Sequence, residues 1–226
     1  TSAYLDKVLT DSSSGIDHPA AIIVETVQGE GGITAASFDW LRSIQKVCDK
    51  HDILLIIDDI QAGCGRTGTF FSFEEIGISP DIITLSKSLS GYGLPFAVAL
   101  IKPEHDIWKP GEHNGTFRGN NLAFVTAKET IDHYWSDELF TTEVRKKGKY
   151  ISERVQKIIN TYGEGNFSSR GRGMFQGLNC VNGDLANKIT KLSFKKGLMI
   201  ETSGADDHVI KFLCPLTISD QNLKKG

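Results

Sequence analysis

The chain has no CxxC pair. Its four cysteines, Cys48, Cys64, Cys180 and Cys214, stand far apart. Free thiols in a reducing compartment are therefore expected. There is no large excess of either charge: 25 basic residues nearly balance 28 acidic ones. That balance gives no electrostatic footprint for nucleic acid or an anionic membrane. No apolar run is long enough to span a bilayer, and no signal peptide opens the sequence. A GxxxxGK[ST] phosphate loop is missing as well. The acidic strand ILLIIDD at Ile53–Asp59, which by itself suits a nucleotide triphosphatase, lacks its usual companion.

What is present is a globular composition. Apolar residues make up 39% of the chain, and 23 of its 226 residues are glycine, enough for one large or two modest domains. The most informative stretch runs from Ile53 to Gly91. An apolar run, Ile53–Ile57, stops at Asp58 and Asp59. A second, Ile82–Leu85, stops at Ser86 and Lys87. Runs so short and apolar suit strands buried on both faces of a parallel sheet. Ligands bind such sheets beyond the carboxyl ends of the strands, so Asp58 and Lys87 are expected at the rim of one crevice. A carboxylate there calls for a cation. A lysine there is either a chemical group or, taken alone, a solvated strand end.

The flanks read as α/β. Ala20–Glu25 is a strand, Phe38, Leu41, Ile44 and Cys48 recur at helical spacing behind Ser37 or Thr34 as caps, and the chain returns at Ile53. This is a βαβ unit. The run Gly63-Cys-Gly65-Arg-Thr-Gly68 is literally GxGxxG. Two aspartates precede it and TFFSFEE follows it in place of a helix, so it fails the context test for a dinucleotide site. Further strands are expected at Pro80–Lys87 and Leu94–Ile101, and a helix from near Asn120. Phe140, Val144, Ile151, Val155 and Ile158 mark a long amphipathic helix whose Arg145, Lys146, Lys147 and Lys149 read as a solvated face. Strands at Met174–Val181, Leu198–Glu201 and Val209–Leu213 and a helix at Asp184–Lys196 complete a small α/β region. A domain boundary is expected near Tyr134–Glu138, dividing residues 1–135 from 136–226.

Four motifs in one order give the chain a family resemblance. Asp58 ends a strand, Gln61 follows three residues later and Lys87 ends the next strand. Upstream lies VETVQGEGG at Val24–Gly32, and downstream EHNGTFRGNN at Glu112–Asn121. The set resembles the class III aminotransferases, which depend on pyridoxal 5'-phosphate (PLP). The resemblance implies fold type I, with part of the large PLP-binding domain at residues 1–135 and an incomplete small C-terminal domain at 136–226. It implies Lys87 as the Schiff-base lysine and proton carrier, Asp58 as partner of the pyridine nitrogen and Gln61 as partner of the phenolic oxygen. Thr116 would hold the phosphate of a neighbouring subunit's cofactor, in a homodimer or larger homo-oligomer.

Within the family, Phe70–Asn120 looks most like the branch that makes 2,4-diaminobutyrate from aspartate semialdehyde, with glutamate as amino donor, in ectoine biosynthesis. That would be a cytoplasmic bacterial enzyme acting on small amino and oxo acids. Ornithine, 4-aminobutyrate and N-acetylornithine remain alternative substrates, and a PLP-dependent aminomutase or decarboxylase shares the same residues. The resemblance further implies that an N-terminal half precedes the polar opening TSAYLDKVLTDSSSGID, with the ring-stacking aromatic and another phosphate turn. Relatives gate their two substrates with a Glu–Arg pair. Glu30 matches the Glu, while the matching strand VIKFLCPL carries Lys211 in place of Arg. Lysine lacks the planar fork that grips a carboxylate in two places.

Overall fold

A computed structural model describes all residues, Thr1–Gly226. The chain folds as two compact units. One comprises Thr1–Thr26, Ala36–Cys64 and Phe73–His133. The other comprises Val27–Ala35, Gly65–Ser72 and Tyr134–Gly226.

The first unit is built on a four-stranded sheet in the order β1 (Ala21–Val24), β2 (Leu54–Asp58), β3 (Ile82–Leu85) and β4 (Val98–Ile101). β1, β2 and β3 are parallel, with Ala21 opposite Leu54 and Asp58 opposite Thr84. α1 (Ser2–Thr10) opens the chain, and α2 (Phe38–His51) makes the crossover from β1 to β2. The Ser37 hydroxyl accepts the Trp40 N–H at 3.2 Å and Asp39 sits in the first turn, both favourable at a helix start. α2 buries Leu41, Ile44, Val47 and Cys48 and packs on β2, where Leu55 and Ile57 are buried, as is Ile53 just before it. It ends at Asp52, whose left-handed φ of 54° turns the chain into β2.

Two expectations need correction. The strands are not buried on both faces: β2 alternates, and Ile23 of β1 is 61% exposed. α2 packs on β2. β4 begins at Val98, not Leu94, and runs antiparallel to β3. Pro95 has no N–H to give a ladder, and the Phe96 carbonyl is taken by the Ser86 hydroxyl at 2.6 Å. An antiparallel edge strand on a parallel sheet is common in α/β proteins. α3 (Asn121–Tyr134) follows, capped by Asn120, whose Oδ1 accepts the N–H groups of Leu122 and Ala123.

The second unit has an antiparallel sheet in the order β5 (Phe167–Arg172), β6 (Phe175–Cys180), β8 (Val209–Phe212) and β7 (Glu201–Ser203). α4 (Leu139–Tyr162) and α5 (Gly183–Lys195) accompany it, and α6 (Asp220–Lys225) closes the chain. Val144, Ile151, Val155 and Ile159 of α4 join Met174, Leu178 and Ile210 in the core. Gly148 of α4 is required there, because a Cβ would sit 2.6 Å from the Gly173 carbonyl oxygen.

Three sequence expectations shift in this unit. β5 went unforeseen because Phe167-Ser-Ser-Arg-Gly-Arg carries no apolar alternation. β7 starts at Glu201, three residues later than expected, because the Leu198 N–H turns back to the Ser193 carbonyl at the end of α5. The basic residues of α4 are not simply solvated: Arg145 Nε donates to Gly68 O and Lys147 Nζ to Leu216 O, both at 3.0 Å.

All four cysteines are free thiols. Burial pushes the Cys64 thiol up to about 12 and those of Cys48 and Cys180 to about 11, so these sulfurs are held in their unreactive protonated form. No helix is long and apolar enough to cross a membrane.

Candidate functional site

Because β2 and β3 are parallel neighbours, their carboxyl ends open on the same edge of the first unit's sheet. Asp58 is the last residue of β2, and Lys87 follows β3 by two residues. Both residues therefore stand at one edge of the sheet. Asp58 is half-buried. Its Oδ1 accepts the Ile60 N–H at 3.1 Å and the Thr84 hydroxyl at 3.4 Å, which leaves Oδ2 without a protein partner. Asp59, one residue on, is 1% exposed, and its N–H continues the ladder to Thr84 O at 3.0 Å. Alternation thus turns the two adjacent aspartates to opposite sides of the sheet.

The chain then tightens. The Gly63 N–H returns to the Asp59 carbonyl at 3.0 Å, and a Cβ at Gly63 would lie 2.7 Å from that oxygen. This contact, and not a pyrophosphate, accounts for the first glycine of the GxGxxG run. Gln61 lies in the turn, and its Oε1 is buried with no hydrogen-bond partner. A buried amide oxygen left unsatisfied is costly and points to a missing donor.

Lys87 has a left-handed φ of 48°, uncommon for a side chain of this kind and often found at functional positions. The Ser86 hydroxyl pins the preceding residue to Phe96. The Lys87 side chain is exposed and makes neither a hydrogen bond nor an ion pair within the protein. Thr116 lies on an exposed turn before α3, where the Arg118 N–H donates to Gly115 O at 3.1 Å. The first amides of α3 are occupied by Asn120, so the Thr116 hydroxyl, not that helix end, is the group free to meet a ligand.

The second unit holds Glu30 and Lys211 together. The turn Val27–Ala35 is closed by a bridge between Val27 and Ala35 and tied to the β7–β8 loop by the Gly204 N–H on Glu30 O at 3.0 Å. Arg170 Nη1 adds a bond to Gly32 O at 3.1 Å. Lys211 on β8 is 2% exposed, and its Nζ lies 2.9 Å from Glu30 Oε1. It lies equally close, 2.9 Å, to Glu201 Oε1. Burial works to lower the Lys211 pKa, but hydrogen bonds to Glu201 and Glu30 outweigh it and hold the ammonium above its ordinary value.

Glu201 is a residue that reading the sequence missed. The signal was present: Gly204-Ala-Asp-Asp-His208 marks a hairpin loop, and counting outward equally from it pairs 201 with 211.

Comparison with known proteins follows the same lines. The class-III aminotransferase family matches residues 4–226. An uncharacterised aminotransferase of Sinorhizobium fredii is 58% identical over all of this chain and 50% of its own length. A diaminobutyrate–2-oxoglutarate transaminase of Sporosarcina pasteurii is also 58% identical, over 99% of this chain and 53% of its own. Among solved structures, the ornithine aminotransferase of Toxoplasma gondii superposes with a TM-score of 0.87 at 27% identity, covering 99% of this chain and 52% of that one. The chain spans about half the length of the curated relatives it matches.

Proposed function

The chain belongs to the class-III aminotransferase family, and from that premise we propose that the whole protein is a PLP-dependent transaminase of L-glutamate and L-aspartate 4-semialdehyde. Its products are 2-oxoglutarate and L-2,4-diaminobutyrate, the latter a precursor in ectoine synthesis. The substrate reading is supported by the names of relatives at 54–58% identity. The alternative, another terminal-amine transaminase, draws on the likeness to ornithine aminotransferase at the lower identity of 27%.

The residues at the sheet edge fit the cofactor. One observation carries this reading: Gln61 Oε1 is buried without a donor, three residues after Asp58, whose Oδ2 has no protein partner, at the sheet edge where Lys87 stands unpaired. Gln61 would hydrogen-bond the phenolic side of the ring, and Asp58 would be the partner of the ring nitrogen. Lys87 would carry the cofactor covalently. Thr116 would hold the phosphate of the cofactor in a second copy of the chain. Bound PLP supplies an aldehyde that takes up amines and a ring that accepts the electron pair left when a C–H proton departs.

The chain's own residues do the rest. Lys87 Nζ, as a free amine, would take the proton from the substrate carbon that bears the amino group and, as the acid, would give it back on the other side of the transfer, to the cofactor. The negative charge of Asp58 keeps the proton on the ring nitrogen, and the Ile60 and Thr84 bonds to Oδ1 fix its direction. Glu30 and Lys211 serve the two substrates in turn. Paired, they leave room for the terminal amine of diaminobutyrate; parted, they free Lys211 for the distal carboxylate of glutamate.

The working unit in this reading is a cytoplasmic homodimer or larger homo-oligomer. Large exposed apolar side chains near the Thr116 turn, Phe117, Leu122 and Val125, support it. The test is product formation by the full-length protein: diaminobutyrate should appear from aspartate semialdehyde in step with 2-oxoglutarate from glutamate. Turnover of ornithine or 4-aminobutyrate in its place would transfer the assignment to the alternative.

A further inference from the structure

The two carboxylates on Lys211 are not equivalent. Both side chains are largely exposed, Glu30 77% and Glu201 67%, so it is the backbone that separates them: Glu30 stands on a turn, from which rotation about its own bonds removes it from Lys211. Glu201 stands on β7 directly opposite Lys211 in the ladder, where cross-strand side chains lie side by side. On the other flank Lys211 faces Gly177 of β6, which has no side chain. Glu201 is therefore the one lateral neighbour with which the sheet supplies the ammonium. Glu30 and Glu201 are also the charged groups whose fields act on Lys211.

We propose that Glu201 is a positioning residue, a fixed counter-charge that keeps Lys211 oriented when Glu30 withdraws for the glutamate half-reaction. The proposal rests on the reading of Glu30 and Lys211 given above. A lysine 2% exposed that lost its sole carboxylate would be a buried unpaired charge, an expensive state. With a single partner, Lys211 would grip Glu30 and the pair would resist opening. With Glu201 in place, one ion pair persists while another donor of the ammonium, which has three, passes from Glu30 to the substrate carboxylate. Two carboxylates sharing one lysine thus do what a lone Glu–Arg pair does with the two-pronged guanidinium: one prong is retained and one is exchanged.

The test uses the full-length PLP-loaded protein and glutarate, a dicarboxylate that lacks an amino group and cannot react. Glu201→Gln preserves size and removes charge, and Glu201→Asp restores it on a shorter stem. Calorimetry should show glutarate binding weakened about ten-fold in Glu201→Gln, the scale of one charge-assisted hydrogen bond, and recovered in part in Glu201→Asp. Single-turnover rates should show the glutamate half-reaction falling about ten-fold further than the diaminobutyrate half-reaction. Glutarate affinity in Glu201→Gln equal to or tighter than the parent's, while Lys211→Ala weakens it, would overturn the role of Glu201 and leave the Glu30–Lys211 reading standing. Parent-like glutarate binding in Lys211→Ala would overturn that underlying reading, and the role of Glu201 with it.

Discussion

Lys211 Nζ sits 2.9 Å from Glu30 Oε1, joining a buried lysine on β8 to an exposed glutamate 181 residues earlier in the chain. The pairing gives the gate reading a physical basis despite the lysine that stands where the family resemblance implies arginine. Lys211→Ala should slow the glutamate half-reaction by about 1.5–3 kcal/mol, the range for a hydrogen bond to a charged group. That is a loss of roughly ten- to a hundred-fold. The diaminobutyrate half-reaction should lose much less. Single-turnover rates for each half decide it, and equal losses in both would reject the gate.

Asp58→Asn should retain the cofactor on Lys87 and lose several kcal/mol of transition-state stabilisation, since an amide does not hold a proton on the ring nitrogen. The absorbance of the bound cofactor and the turnover rate read these two effects separately. Near-normal turnover would remove Asp58 from its role at the ring.

Thr116→Ala should weaken cofactor retention by about 0.5–1.5 kcal/mol, rising towards 3 if the phosphate is fully charged at the contact. Equilibrium dialysis of PLP against the variant measures it. Unchanged affinity would make the turn at Thr116 an ordinary loop.

Asp81 should govern acid stability in the first unit. Its Oδ2 accepts the Leu55 N–H at 2.8 Å and its Oδ1 accepts Lys102 Nζ at 2.8 Å, tying β2, β3 and the end of β4 together. Burial tends to raise its pKa, but the Lys102 and Leu55 bonds prevail and lower it below its ordinary 3.8. A carboxylate depressed in the fold contributes stability above the unfolded value and loses it as pH falls through the lower folded one. Asp81→Asn should therefore destabilise the protein by about 1–2 kcal/mol near neutrality. The gap should narrow as pH drops below 3.8. Denaturant melts across that range test it, and a gap independent of pH would contradict it.

The first unit's sheet was largely legible because its strands are short apolar runs that stop at charged residues. Asp58 and Lys87 could be set at one edge by reading both runs as parallel strands, and β2 and β3 do pair in parallel. The second unit was harder to read. β5 is polar along its length, and β7 yields its first residues to the closing turn of α5. Glu201 was placed at the end of that displaced strand, and its pairing with Lys211 follows only when register is counted outward from the Gly204–His208 loop. The unpaired Gln61 Oε1 and the left-handed backbone at Lys87 leave no mark in composition or periodicity. They arise from turns whose angles depend on the packing of Gly63 against Asp59 and of Ser86 against Phe96.

The central claim is that Lys87 carries the cofactor, and borohydride reduction tests it most directly. The full-length protein with PLP is reduced and digested, and the pyridoxyl-bearing peptide is sequenced by mass spectrometry. The account predicts the label on Lys87, in the peptide that contains Thr84-Leu-Ser-Lys87, and none in a Lys87→Ala variant. A label on any other lysine, or undiminished labelling of that variant, would contradict it.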